Sequence, residues 1–130
     1  MMADEKQLLL DFFNTASTWC QHVEARDLGA NPVHCDDDAA AAWDITGAMY
    51  RLFGSRRAGA LFAQLDRHIH GKRHVKAWPV RSPELDAMVA LQAFNDASDT
   101  TFEVLRLRLE TAPVWSGGKR SIESESALRD

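Results

Sequence analysis

A chain of 130 residues with 45% hydrophobic and 26% charged side chains has the composition of one globular domain, which excludes bulk disorder. Its net charge of −4 and pI near 5.7 argue against a general nucleic-acid coat, because such proteins are basic overall. The charge is nonetheless segregated. Residues 51–81 carry eight Lys/Arg (Arg51, Arg56, Arg57, Arg67, Lys72, Arg73, Lys76, Arg81) against one acid, Asp66.

The N-terminus shows no export pattern. Leu8–Leu10 is cut by Asp11 and preceded by Asp4 and Glu5, the wrong charge for a signal peptide, and no stretch approaches the ~20 apolar residues of a membrane span. The expectation is a cytoplasmic chain without a membrane partner, with Cys20 and Cys35 as thiols.

Asp4 with Gln7 resembles a capping box and opens a helix over about 5–20, with Leu9, Phe12, Phe13, Ala16, Trp19 and Cys20 along one stripe. Val23 and Ala25 then alternate with His22, Glu24 and Arg26, and 27–32 is turn chemistry, so 21–35 reads as a short β-hairpin or ordered loop. Asp36–Asp38 stands at the mouth of a second helix, about 38–53, striped by Ala42, Ile45, Met49, Leu52 and Phe53, which places Asp44 on the exposed side. Gly54 stops it, and Ser55 caps a third helix over 56–70 with Ala58, Leu61, Phe62, Leu65 and Ile69 inward. Ser82-Pro83 starts a fourth helix, to about Phe94, with Leu85, Met88, Val89 and Leu91 apolar. Asn95-Asp96 breaks it, and a second capping box, Thr100 to Glu103, opens a fifth helix striped by Phe102, Leu105, Leu109 and Ala112. The reading is mainly α: a compact bundle of about five helices plus one short β-hairpin or loop, a single domain over 1–115, and a flexible tail over 116–130.

Chemistry-bearing residues are sparse. Cys20, His22, His34 and Cys35 bracket the hairpin, but His34 and Cys35 as strand neighbours would point to opposite sides. His68 and His70 lie about 200° apart on a helix, and Gly71 ends that helix before His74. The expectation is no metal and no cofactor. No phosphate loop, nucleophile elbow or HExxH occurs, which points away from catalysis. On the third helix Arg56, Ala60, Ala63, Arg67 and His70 share the face opposite Leu61, Phe62 and Leu65, and Lys72, Arg73, Lys76, Trp78 and Arg81 follow.

Two blocks carry a family resemblance. The first runs Trp19-Cys20-Gln21, Ala25-Arg26-Asp27, Gly29, Pro32-Val33, then Ala42-Trp43 and Gly47-Ala48. The second is Phe94-Asn95-Asp96, Thr100-Thr101 and Glu103-Val104-Leu105. Over roughly 8–112 the chain resembles an uncharacterised bacterial domain family with W-x-Q, A-R-D, G-x-P-V and N-D…T-x-x-E-V-L elements. The resemblance implies fold boundaries and no activity.

The sequence reading is a small non-catalytic binding or regulatory protein. Its basic face, with Arg56, Arg67, Lys72, Arg73, Lys76 and Arg81 as partner-binding residues, would contact an acidic protein partner. The runner-up is a small enzyme or ligand-binding domain with a pocket around Arg26, Asp27, Asn95 and Asp96; nucleic-acid binding through the basic face comes third.

Overall fold

The computed structural model describes residues 4–71, 83–113 and 115. The elements are α1 (Glu5–Phe12), a 3-10 turn (Ala16–Thr18), β1 (Ala25–Asp27), β2 (Ala40–Trp43), α2 (Ile45–His70), α3 (Pro83–Asp96) and α4 (Phe102–Thr111). The fold is mainly helical, with one small antiparallel sheet. The connection 72–82 and the tail 116–130 lie outside the described residues, and with them Lys72, Arg73, His74, Lys76, Trp78 and Arg81.

Helix α1 is shorter than its apolar stripe predicts. Asp4 caps it by accepting from the Lys6 amide at 3.0 Å, while Gln7 turns to Asp11 instead of back to the cap, so no reciprocal box forms. Beyond Phe13, the Thr15 and Ser17 hydroxyls pair at 2.9 Å and Thr18 donates to the Thr15 carbonyl. Such local side-chain bonds compete with helix continuation. Trp19 and Cys20 still face inward, but from extended chain alongside β2, where the Cys20 amide donates to the Trp43 carbonyl.

The helix expected over 38–53 starts later, because Ala40–Trp43 is a strand. It pairs with β1 in the register Ala25↔Trp43, Arg26↔Ala42, Asp27↔Ala40, irregular between Arg26 and Asp27. Tertiary pairing overrides the helix preference of alanine here. The sheet partner of β1 therefore lies beyond 35, and Asp36–Asp38 sits in a loop, not at a helix mouth. Asp44 is the true N-cap of α2 and is buried, not exposed.

Segments 45–53 and 55–70, expected as two helices, form one element interrupted at Gly54, where φ is 80° and ψ 164°. Their inner faces meet α3 along most of its length, and α1 bridges α2 and α4. Leu9, Phe13, Ile45, Met49, Leu61, Phe62, Leu65, Leu91, Leu105 and Leu109 make the fully buried centre. On α3 the buried line is Ala87, Leu91 and Asn95 at i, i+4, i+8; Leu85 and Val89, expected inward, are exposed. The helix also runs through Asn95 and Asp96 instead of breaking there. Thr101, one residue later than expected, caps α4 through the Val104 amide.

Polar ties close the bundle. Arg106 donates to the carbonyls of Leu10 and Phe13 at the C-terminal end of α1, where a cation is favoured. Lys6 donates to the Ala112 carbonyl at 2.7 Å, and Arg57 forks onto the Glu5 carboxylate. Trp115 is buried edge-on against Phe53.

Gly54 occupies a backbone region open essentially to glycine alone, yet a Cβ built there meets nothing within 4 Å. Gly54→Ala is therefore expected to destabilise by about 1–3 kcal/mol through backbone strain alone. Urea unfolding followed by circular dichroism measures this; an unchanged midpoint would show that the interruption at 54 does not persist.

Candidate functional site

Asn95 has no exposed surface and uses the full hydrogen-bonding capacity of its carboxamide. Its Oδ1 accepts from Trp19 Nε1 at 2.7 Å and from the Ile45 amide at 3.0 Å. Its Nδ2 donates to the Cys20 carbonyl at 3.0 Å and to Asp96 Oδ1 at 2.9 Å. One side chain near the end of α3 thus holds the Trp19–Cys20 segment and the first turn of α2 together.

Neighbouring residues extend the clasp. Gln21 Nε2 donates to the Asn95 carbonyl at 2.8 Å, and the carbonyls of Ala97 and Thr100 lie within reach. Asp96 accepts from the His22 amide at 2.7 Å, holding His22 at φ 76°, a left-handed conformation that costs a non-glycine residue roughly 1–2 kcal/mol. Arg26 donates to the Gln21 and Ala30 carbonyls. Asp27 faces its own turn, accepting from the Gly29 and Asn31 amides at 2.9 Å each. Those bonds hold its carboxyl below the usual range, the one from Asn31 contributing most.

Arg26, Asn95 and Asp96 are therefore brought to one junction, and Asp27 is not. What the three hold is this chain's own backbone. Trp19 and Gln21, absent from the expected site, matter as much; Trp19 was legible only as an apolar stripe residue and both only as letters in the first resemblance block, not as members of a site.

Beside the clasp lies a buried carboxyl. Asp44 Oδ1 accepts from the Gly47 amide at 2.5 Å and from Thr46 Oγ1 at 3.0 Å. Burial pushes its pKa up to about 7; these hydrogen bonds oppose the rise, and the Asp96 and Glu24 charges add to it. Space is tight: a Cβ on Gly47 would stand 2.2 Å from the Glu24 carbonyl oxygen, which also accepts from the Asp44 amide.

The described part of the basic block divides in two. Arg51 donates to the Cys35 and Asp37 carbonyls and lies over the Trp43 ring at 5.7 Å, and Arg57 pairs with Glu5. Arg56 and Arg67 are exposed with Ala60 and Ala63 between them, and neither arginine makes a side-chain hydrogen bond or ion pair among the described residues. His70 pairs with Asp66 at 2.6 Å and His68 meets Thr111 at 3.0 Å, so these two imidazoles have separate partners.

The cysteines also separate. Cys20 meets the Val23 carbonyl at 3.7 Å and sits near Arg26 and Asp44; burial is the main cause that lifts its pKa to about 11. His34 and Cys35 are not strand neighbours, because 34–37 is a turn closed by the Asp37 amide on the His34 carbonyl. The turn lets His34 Nδ1 and Cys35 Sγ face each other at 4.0 Å, with Glu24 as the third member of the group. Glu24 was not legible as a partner, since nine residues, β1 and the 27–32 turn among them, separate it from His34.

The model of a family of unknown function, DUF6197, matches residues 13–113. The chain belongs to that family. No curated protein and no solved structure matches it. The DUF6197 span contains the whole clasp, both strands, and helices α2 to α4.

Two outcomes follow from this geometry. Asn95→Ala orphans the half-buried Trp19 indole and the buried Ile45 amide, and at about 1–3 kcal/mol for each orphaned group it should cost about 2–6 kcal/mol in chemical denaturation. Asp44 has a folded pKa above its unfolded value, so the folded state binds the extra proton between about pH 4 and 7 and stability falls as pH rises through that window. Asp44→Asn keeps a cap acceptor and removes the titration. Melting temperatures at pH 5 and pH 8 should therefore differ less in Asp44→Asn than in the parent protein.

Proposed function

We propose that this DUF6197 chain is a non-catalytic binding module that uses the outer face of α2 to engage an acidic protein partner. The observation that carries the reading is the contrast among the arginines. Arg26, Arg51, Arg57 and Arg106 point their guanidinium groups at carbonyls or carboxylates of their own chain. Arg56 and Arg67 point at solvent, eleven residues apart on one helical face and about 16 Å along the axis. Ala60 and Ala63 between them leave the helix backbone open to close approach. Two such cations favour rapid, salt-sensitive capture of an acidic surface, with charge-assisted hydrogen bonds formed on contact.

The absence of catalytic motifs in the sequence agrees with a binding role, and the ligand-pocket reading loses support because Arg26, Asn95 and Asp96 are engaged by backbone.

An NMR titration of the full chain with a poly-glutamate peptide tests this. Amide shifts should concentrate on 56–70, affinity should fall as salt rises from low to physiological strength, and Arg56→Glu with Arg67→Glu should weaken binding at least about tenfold. Equal binding by the double variant would overturn the reading, and tighter salt-dependent retention of a DNA or RNA oligonucleotide would replace it with nucleic-acid recognition.

A further inference from the structure

We propose that Glu24, His34 and Cys35 form a three-ligand site for a thiophilic divalent cation, Zn2+ above all, with water completing the coordination. One ligand atom from each lies within 4.8 Å of the other two. The set is chemically mixed: a carboxylate oxygen, an imidazole nitrogen and a sulfur, the combination that suits a borderline-soft cation and not Mg2+ or Ca2+.

The donors are held before any metal arrives. The Cys35 amide donates to Glu24 Oε2 at 2.7 Å, and the His34 Nε2 stands 3.7 Å from that oxygen. The Cys35 carbonyl accepts from Trp43 Nε1 at 2.8 Å and from Arg51 at 3.2 Å, which fixes the turn from β2 and α2 at once. Such outer contacts orient ligands in metal sites generally. The Asp36 amide donates to His34 Nδ1 at 3.1 Å, which marks Nδ1 as the unprotonated ring nitrogen; a cation bound there would displace that amide. Tetrahedral zinc holds its sulfur and nitrogen donors about 3.5 Å apart, so Sγ and Nδ1, at 4.0 Å, need to close by roughly half an ångström.

Charge balance favours the same occupant. A thiolate and the Glu24 carboxylate neutralise a dication, and Asp36, Asp37 and Asp38, exposed on the same loop, add a negative field at its mouth. Binding is a proton exchange without redox change: the metal–sulfur bond forms, the Cys35 S–H bond breaks, and one proton leaves to solvent. Burial first, then the hydrogen bond and charge of Glu24, push the thiol pKa up to about 12. Cys35 itself is buried while Glu24 and His34 are exposed, leaving the solvent side for water and for any exchangeable ligand.

The test is a titration of the reduced, EDTA-stripped full chain with Co2+, followed by competition with Zn2+ and with excess Mg2+. One Co2+ per chain should bind with a near-ultraviolet thiolate-to-cobalt band that Zn2+ bleaches and Mg2+ does not. Cys35→Ser should abolish the band and Cys20→Ser should keep it. His34→Gln and Glu24→Gln, both at exposed positions, should weaken Co2+ at least about tenfold with the far-ultraviolet spectrum unchanged. The proposal is overturned by the absence of a thiolate band in the reduced parent protein, by a band that follows Cys20, or by equal affinity in the two exposed variants, which would mark binding to a cysteine alone. If Cys35→Ser does not fold, the His34 and Glu24 variants decide.

Discussion

A carboxamide offers four hydrogen-bonding positions, and Asn95 uses all four against the Trp19 indole, the first amide of α2, the Cys20 carbonyl and its neighbour Asp96. Residues 19–20 and 45 are remote from 95 in sequence, so the long-range geometry of the domain converges on one polar side chain in an apolar surround. Burying such a group is favourable only when every position is filled, which makes the junction all-or-none. The placement of α2 follows from it: Asn95 satisfies the Ile45 amide, Asp44 satisfies the Gly47 amide, and Gly47 lets the Glu24 carbonyl approach.

Because α2 is anchored in this way, its two sides can differ. The inner side carries Ala58, Leu61, Phe62 and Leu65 into the core against α3. The outer side is left to Arg56, Ala60, Ala63 and Arg67. The same anchoring reaches the 34–37 turn, since Arg51, on the α2 segment before Gly54, holds the Cys35 and Asp37 carbonyls. The proposed docking face and the proposed cation site are thus supported by one helix while sharing no residue.

Much of the helical core was legible because helical periodicity reports burial directly. Ala58, Leu61, Phe62, Leu65, Leu105 and Leu109 all lie where their spacing places them, and the outer face of α2 was readable from the same wheel. Three things were not legible. Ala40–Trp43 is a strand only because β1 is present to pair with it, which no local preference encodes. The buried line of α3 ends in a polar residue, so a hydrophobic stripe could not find Asn95 and pointed to Leu85 and Val89 instead. The grouping of Glu24 with His34 and Cys35 depends on a turn that sequence spacing read as a strand. The runner-up reading grouped Arg26, Asp27, Asn95 and Asp96 around a ligand pocket; Asp27 faces its own turn, and sequence could not say that the other three would hold backbone.

The Asn95 junction should open only when the whole domain unfolds. Native-state hydrogen exchange at the Trp19 indole and the Ile45 amide tests it most directly. Both protons should exchange in the slowest class, with the same dependence on denaturant as global unfolding. Exchange of either proton through a local opening, faster than the amides of Leu61 and Leu65 and insensitive to denaturant, would contradict it.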